Sequence, residues 1–144
     1  MSDRSGTTER QGVSGCKARL LRDGEEARWD GFVAACSEAT FFHRAGWRGA
    51  IERGLGHRTH YLLAERHGEI EGVLPLAEVR SRLFGHGLTS LPGCVYGGVA
   101  AATVDARNVL TRYACELAEK LAVDALEMRN PIPRESDWPA KDLY

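Results

Sequence analysis

Residues 59–79 read THYLLAERHGEIEGVLPLAEV. Two strand-like runs, THYLLAER (59–66) and EIEGVLPLAEV (69–79), meet at His67-Gly68, a dipeptide of the kind that closes a tight hairpin. Pro75 is the awkward residue in the second run. A proline cannot donate to a strand ladder, so it predicts a sheet edge or a bulge.

Outward from this hairpin the periodicity changes. Upstream, CKARLLRD (16–23) predicts a short strand. EEARWDGFVAAC (25–36) predicts a helix, because Trp29, Phe32, Val33 and Cys36 recur at i, i+3, i+4 and i+7 and the glutamates sit where the helix dipole favours them. TFFHR (40–44) is an aromatic link, and AGWRGAIERGL (45–55) predicts a second helix with Trp47, Ala50, Ile51 and Leu55 on one stripe and Gly56 as its stop. Downstream, GLTSLP (87–92) is a third short strand leading into the glycine loop GCVYGG (93–98). VDARNVLTRYACELAEKLAV (104–123) carries the broadest apolar stripe, with Val109, Leu110, Tyr113, Ala114, Leu117, Ala118 and Leu121 on one face. DALEMRN (124–130) then predicts a strand in which Leu126 and Met128 share a side.

The resulting order, β-α-α-β-β-β-α-β, implies an α/β protein of mixed α+β type, a mixed sheet with helices packed against it. Residues 1–14 are polar and lack apolar period, so a disordered start is expected, followed by a domain over 15–130. Residues 131–144 form a proline-rich tail.

The chain has 144 residues, 43% of them hydrophobic and 27% charged, with a net charge of −1. That length suits one domain with a real core. The near-neutral charge gives no support for DNA binding, which requires a basic surplus or stripe. No apolar run reaches the length of a membrane span and the polar start lacks the apolar core of a signal peptide, so a cytoplasmic location is expected. The four cysteines are far apart, without C-x-x-C, and read as reduced thiols. His57 and His60 form H-x-x-H, but at the entry to a strand residues three apart face opposite sides, so no metal site is expected.

RLFGHG (82–87) has the R-x-x-G-x-G spacing used to cradle a coenzyme A pyrophosphate. Such a cradle requires a helix to begin directly after it, so that consecutive N–H groups face the phosphates. Here LTSLP follows, with Pro92 and no helical period, so RLFGHG predicts a turn between two strands. GCVYGG does run from a strand end toward a helix. Tyr96, with Gly97 and Gly98 giving room, either contacts a ligand or belongs to a plain connection, and the residues alone leave both open. Arg129 and Asn130 at a strand end are candidate polar contacts, or solvated residues with no role. The rings of FFHRAGW are expected to be core. No nucleophile elbow, Walker loop or dinucleotide fingerprint is present.

The stretch from TFFHRAGW through RLFG, followed by LTSLPGCVYGG, LEMRN and WPAKDLY, resembles the N-terminal half of FemAB-like proteins, closest to the group associated with exosortase (PEP-CTERM) and exopolysaccharide systems. The resemblance implies an incomplete GNAT-like domain, with the tail leading to a second GNAT-like domain beyond Tyr144. It also implies transfer of an acyl or aminoacyl group onto an amine of a peptidoglycan or exopolysaccharide precursor, at the inner face of the membrane. No bound cofactor is implied. The donor, aminoacyl-tRNA or acyl-CoA, would arrive as substrate, and tRNA enters as a partner by family analogy only. Because the missing half would hold much of the cleft, this chain alone is expected to lack turnover; a non-catalytic half-domain binding a ligand or a partner is the alternative. Trp47 matches the tryptophan that opens the family's second helix. Arg48 is the nearest cation to the position where peptidoglycan-directed relatives carry a substrate-binding lysine. The same resemblance favours ligand contact by Tyr96, Gly97 and Gly98. No general base can be assigned.

Overall fold

The computed structural model describes residues 10–11, 15–81, 85–90 and 98–128. The hairpin forms as its sequence predicts, from β3 (Arg58–Arg66) and β4 (Glu69–Ser81). His67 and Gly68 both have positive φ, 52° and 80°, as a tight two-residue loop with the right-handed twist of its strands requires. β2 (Lys17–Leu20) pairs antiparallel with the other edge of β3, and β1 (Arg10–Gln11) pairs with β2, a short strand that the polar N-terminal stretch did not suggest. β5 (Gly85–Ser90) runs antiparallel to β4, and β7 (Ala125–Glu127) runs parallel to β5. The sheet is therefore mixed, with the order β1-β2-β3-β4-β5-β7 and β6 (Ala100–Ala101) paired to β4 off that path. Ser81 pairs with Gly85 across β4 and β5, so RLFGHG does join two antiparallel strands, but its Gly85-His86-Gly87 half already belongs to β5.

Pro75 does not mark an edge. It is fully buried in the central strand, opposite Tyr61. β5 and β6 lie on the same side of β4 and both run antiparallel to it, with Ser90 facing Leu76 and Ala100 facing Val73. They lie on one line, β5 ending at Ser90 opposite Leu76 and β6 beginning at Ala100 opposite Val73, so that Leu74 and Pro75 fall between the two. The Tyr61 carbonyl accepts the Leu21 N–H at 2.8 Å, so Tyr61 turns its polar backbone toward β2. Its cross-strand neighbour Pro75 then turns its backbone away from β3, toward the interrupted line. The position of β4 that cannot donate lies directly past the last pair of β5, Leu76 with Ser90.

Helices cover both faces. On one side, α3 (Val104–Leu121) lays Ala106, Val109, Leu110 and Ala114 on Leu62, Leu74, Leu76 and Leu88. Thr103 caps it by accepting the Ala106 N–H, and it ends on Ala122 in a left-handed conformation. On the other side, α1 (Glu26–Ala35) buries Trp29 and Val33, and α2 (Gly46–Gly49) continues as a wider π turn over Ala50–Gly54. These meet Tyr61, Leu63, Val73 and Ala77. With both faces covered, the run Leu62-Leu63-Ala64 is buried at every residue, which explains why this strand does not alternate.

Polar clusters join the elements. The Arg19 guanidinium, itself buried, binds Glu25 in a fork at 2.8 and 2.9 Å and donates to Glu65 at 2.9 Å, tying β2 to the start of α1 and to β3. Arg19 holds the Glu25 carboxyl down at about 2. At the opposite end of β4, Glu78 lies between His86 at 2.5 Å and His60 at 3.3 Å. Burial pushes the Glu78 pKa up, but the hydrogen bonds to His86 and His60 outweigh it and hold the carboxyl below its usual range.

Gly72 shows how closely α3 approaches the sheet. A bulge between Ala64 and Glu65 makes Glu71 the extra residue of β4, and Gly72 just past it shares the helix-facing side with Leu74 and Leu76. A Cβ at Gly72 would stand 2.9 Å from Leu110 Cδ1 and 3.1 Å from Ala106 Cβ, whereas one at Gly31 in α1 meets nothing within 4 Å. Urea melts should therefore show the same chemical change acting in opposite directions. Gly72→Ala should lose about 1–2 kcal/mol through overpacking, and Gly31→Ala should gain about 0.5–1 kcal/mol of helix propensity. Equal shifts in the two variants would contradict this packing.

Candidate functional site

The connection from α1 to α2 builds the site. Thr40 opens a single 3-10 turn, Phe41–His43, by accepting the Phe42 N–H at 3.1 Å. His43 closes the turn from the other direction, because its Nδ1 accepts the Thr40 backbone N–H at 3.0 Å. That bond sets the tautomer: in the neutral ring the proton lies on Nε2, which donates to the Gly98 carbonyl at 2.7 Å. The His43 carbonyl in turn accepts the Trp29 indole N–H at 2.6 Å, and Trp29 stacks on Tyr61 with centroids 5.0 Å apart. One buried imidazole thus fastens α1, the aromatic link and the returning end of the glycine loop. Burial drives its pKa below the ordinary histidine value, because the charged form has neither water nor a counter-charge beside it.

Two clefts of about 390 Å³ each share Cys36. The first runs from Ala35–Glu38 to Ala101–Val104 and Arg107. In it Glu38 accepts the Ala101 N–H at 3.1 Å and pairs with Arg107 at 2.8 Å. The second runs along Asp30, Val33, Ala34 and Ala39 to Thr40, Phe41 and Arg44. Phe41 packs edge-on against Phe42 and Trp47, at 5.8 Å from each, and yet remains 62% exposed. The rings of FFHRAGW are therefore not uniformly core, and the fully buried member of the motif is His43.

Among the residues singled out from sequence, Gly98 stands beside this assembly through its bond to His43. Trp47 is half-buried and donates its indole N–H to the Phe41 carbonyl at 3.2 Å. Arg48 turns away from the clefts and pairs with Glu26 at 3.8 Å and Glu52 at 3.7 Å. Tyr96, Gly97, Arg129 and Asn130, like the proline-rich tail, lie outside the described residues. Sequence reasoning missed Asp30, Glu38, Phe41, Arg44 and Arg107. The one local signal was Thr40 three residues before His43, the spacing of a capping box with imidazole in place of the usual Glu or Gln.

A diphosphate bound at the start of α3 would require open amides there. Thr103 already takes the Ala106 N–H and Glu38 takes that of Ala101. Arg107 Nε has no partner among the described residues, but the carboxylates of Glu38, Glu71 and Asp105 surround this end against the guanidiniums of Arg66 and Arg107. The residues present do not fit a diphosphate.

The same architecture occurs in acetyltransferases of known structure. A GNAT family acetyltransferase from Staphylococcus aureus subsp. aureus superposes with a TM-score of 0.56 at 11% identity, over 89% of this chain and 98% of that one. A ribosomal-protein-alanine N-acetyltransferase from Brucella melitensis biovar Abortus does so with a TM-score of 0.55 at 11% identity, over 90% of this chain and 98% of its own. The chain has the GNAT fold. No family model matches it, and no curated protein matches it in sequence.

The depressed pKa of His43 has a defined consequence for stability. Its neutral form contributes fully above the unfolded value near 6.5, and the contribution is lost as pH falls through the lower folded value. His43→Gln supplies a donor and an acceptor that do not titrate in this range. Between pH 7 and 5.5 the stability of wild type should fall relative to that of this variant, by up to about 1.4 kcal/mol per pH unit. Parallel denaturation profiles across that range would show that His43 does not carry the effect.

Proposed function

We propose that this chain is the N-terminal GNAT-fold half of a FemAB-like acyltransferase, passing an acyl or aminoacyl group to an amine on a peptidoglycan or exopolysaccharide precursor. The observation that carries the proposal is the gap between β5 and β6 opposite Pro75. Gly98, just before β6, accepts from the His43 ring, and Thr40, the other partner of that ring, lines one of the two clefts. A connection between sheet segments that is anchored at one end is a means of placing a substrate against a fixed scaffold. In this reading the acceptor amine attacks an activated acyl ester, the bond to the leaving alcohol breaks, and the amine's proton passes to solvent or to that alcohol. The protein contributes alignment of the two reactants. The carboxylates around the start of α3 suit the free ammonium of an aminoacyl ester, a group that acyl-CoA lacks, and a cytoplasmic encounter at the inner membrane face suits either class of precursor.

A second reading, a half-domain that binds ligand without turnover, draws support from the same chemistry. His43, buried beside the second cleft's Thr40, has both its ring nitrogens engaged and is not free to act as a base. A titration followed by amide chemical shifts tests both readings. Envelope-precursor analogues with a free amine should perturb Gly98, Ala101 and Thr40 and leave the Glu78 end of the sheet unmoved. Adding aminoacyl-tRNA and following amide formation by mass spectrometry then separates catalysis from binding. Silence at Gly98 with every amine analogue would remove both.

A further inference from the structure

The cleft between α1 and the aromatic link holds one acid and one base that do not pair with each other. Asp30 Oδ1 accepts the Ala45 N–H at 2.8 Å, and no other bond among the described residues engages that carboxylate. The Arg44 guanidinium lies 5.9 Å from the centroid of the Phe41 ring, with no carboxylate among the described residues joined to it. Its neighbours differ in this respect: Arg28 pairs with Glu25, Arg48 with Glu26 and Glu52, and Arg107 with Glu38. The Asp30 carboxylate is held on the backbone next to Arg44, and the same cleft is lined by Val33, Ala34, Ala39 and the exposed Phe41 ring.

We propose that this cleft is a binding site for a free α-amino acid with an apolar side chain. Arg44 would take the carboxylate through its planar fork, which the ring beneath it pre-orients. The Asp30 oxygen not used by Ala45 would take the ammonium. The ligand side chain would lie on Val33, Ala34 and Ala39 against the edge of Phe41. A zwitterion satisfies both charges without breaking an internal ion pair, whereas a simple anion or cation leaves one of them unmet. The volume of about 390 Å³ is at the lower end of the range for small-molecule sites and suits a single amino acid. Binding here requires no acyl transfer, so the site stands or falls separately from the proposed activity.

L-leucine, isocaproate (the same body without the amine) and isoamylamine (without the carboxylate) should be titrated into the protein, following the amides of Asp30, Thr40, Arg44 and Ala45. Leucine should bind, and each half-ligand should bind more weakly by roughly tenfold or more. Asp30→Asn keeps an oxygen for the Ala45 N–H but removes the charge, and it should abolish the preference for leucine over isocaproate. Arg44→Gln should abolish the preference for leucine over isoamylamine. The circular dichroism spectrum of each variant should match that of wild type, so that a loss of preference reports on the charge. No shift at millimolar leucine, or equal binding of leucine and isocaproate to wild type, would overturn the site.

Discussion

The fold depends on what β4 can offer its neighbours. This strand is paired along one side by β3 and along the other by β5 and then β6. A central strand usually presents an unbroken ladder on both sides. Pro75 breaks one side only, and its register places the missing N–H on the side away from β3. A facing strand gains less from continuing past that position, and β5 ends at Ser90, one residue short of it, while β6 begins at Ala100 beyond it. Pairing on the hairpin side of β4 is untouched.

The approach to β6 is held by a buried histidine, which binds the Gly98 carbonyl. His43 is held neutral with a defined tautomer because one ring nitrogen accepts a backbone N–H and the other donates to a backbone carbonyl. A charged residue at this position would require a counter-charge in the core. The neutral imidazole satisfies two distant backbone groups without one. Trp29 extends the same chain of contacts to Tyr61 on the sheet, so the loop end, the aromatic link and the two helices before it are bound to β3 as a unit.

Much of this architecture was legible in single stretches of sequence. The hairpin, α1 and α3 declared themselves because their apolar periods coincide with the faces that tertiary packing covers: Trp29 and Val33 in α1, and Val109, Leu110 and Ala114 in α3, are buried. The second helix was harder. Its predicted stripe of Trp47, Ala50, Ile51 and Leu55 buries Ile51 well, but Ala50 is exposed and Leu55 is 55% exposed. The π turn over Ala50–Gly54 explains the difference, since widening the helix rotates the residues that follow it off an α-helical face. Three glycines, Gly46, Gly49 and Gly54, weaken the helical preference there, and Gly56 at a φ of 72° ends it as its sequence suggests.

The candidate site was less legible than the fold, because its residues lie far apart in sequence and are related by the sheet. RLFGHG could be dismissed from its flanks alone, since a helix onset is a local property. Arg48 could not be separated from Arg44 in that way. Both are arginines near Trp47, and only the position of Glu26 and Glu52 shows that one is already paired while the other lines a cleft. By itself the sequence determined the main strands and helices, though not the two-residue strands β1 and β6, and where the hairpin turns and that one proline would disturb the sheet, because these follow from side-chain period and backbone chemistry over a few residues. Tertiary structure alone decided which side of β4 the proline disturbs, which imidazole holds the loop and which charges remain available to a ligand. Those outcomes depend on strand register and on long-range pairing, and neither is encoded in any single stretch of the chain.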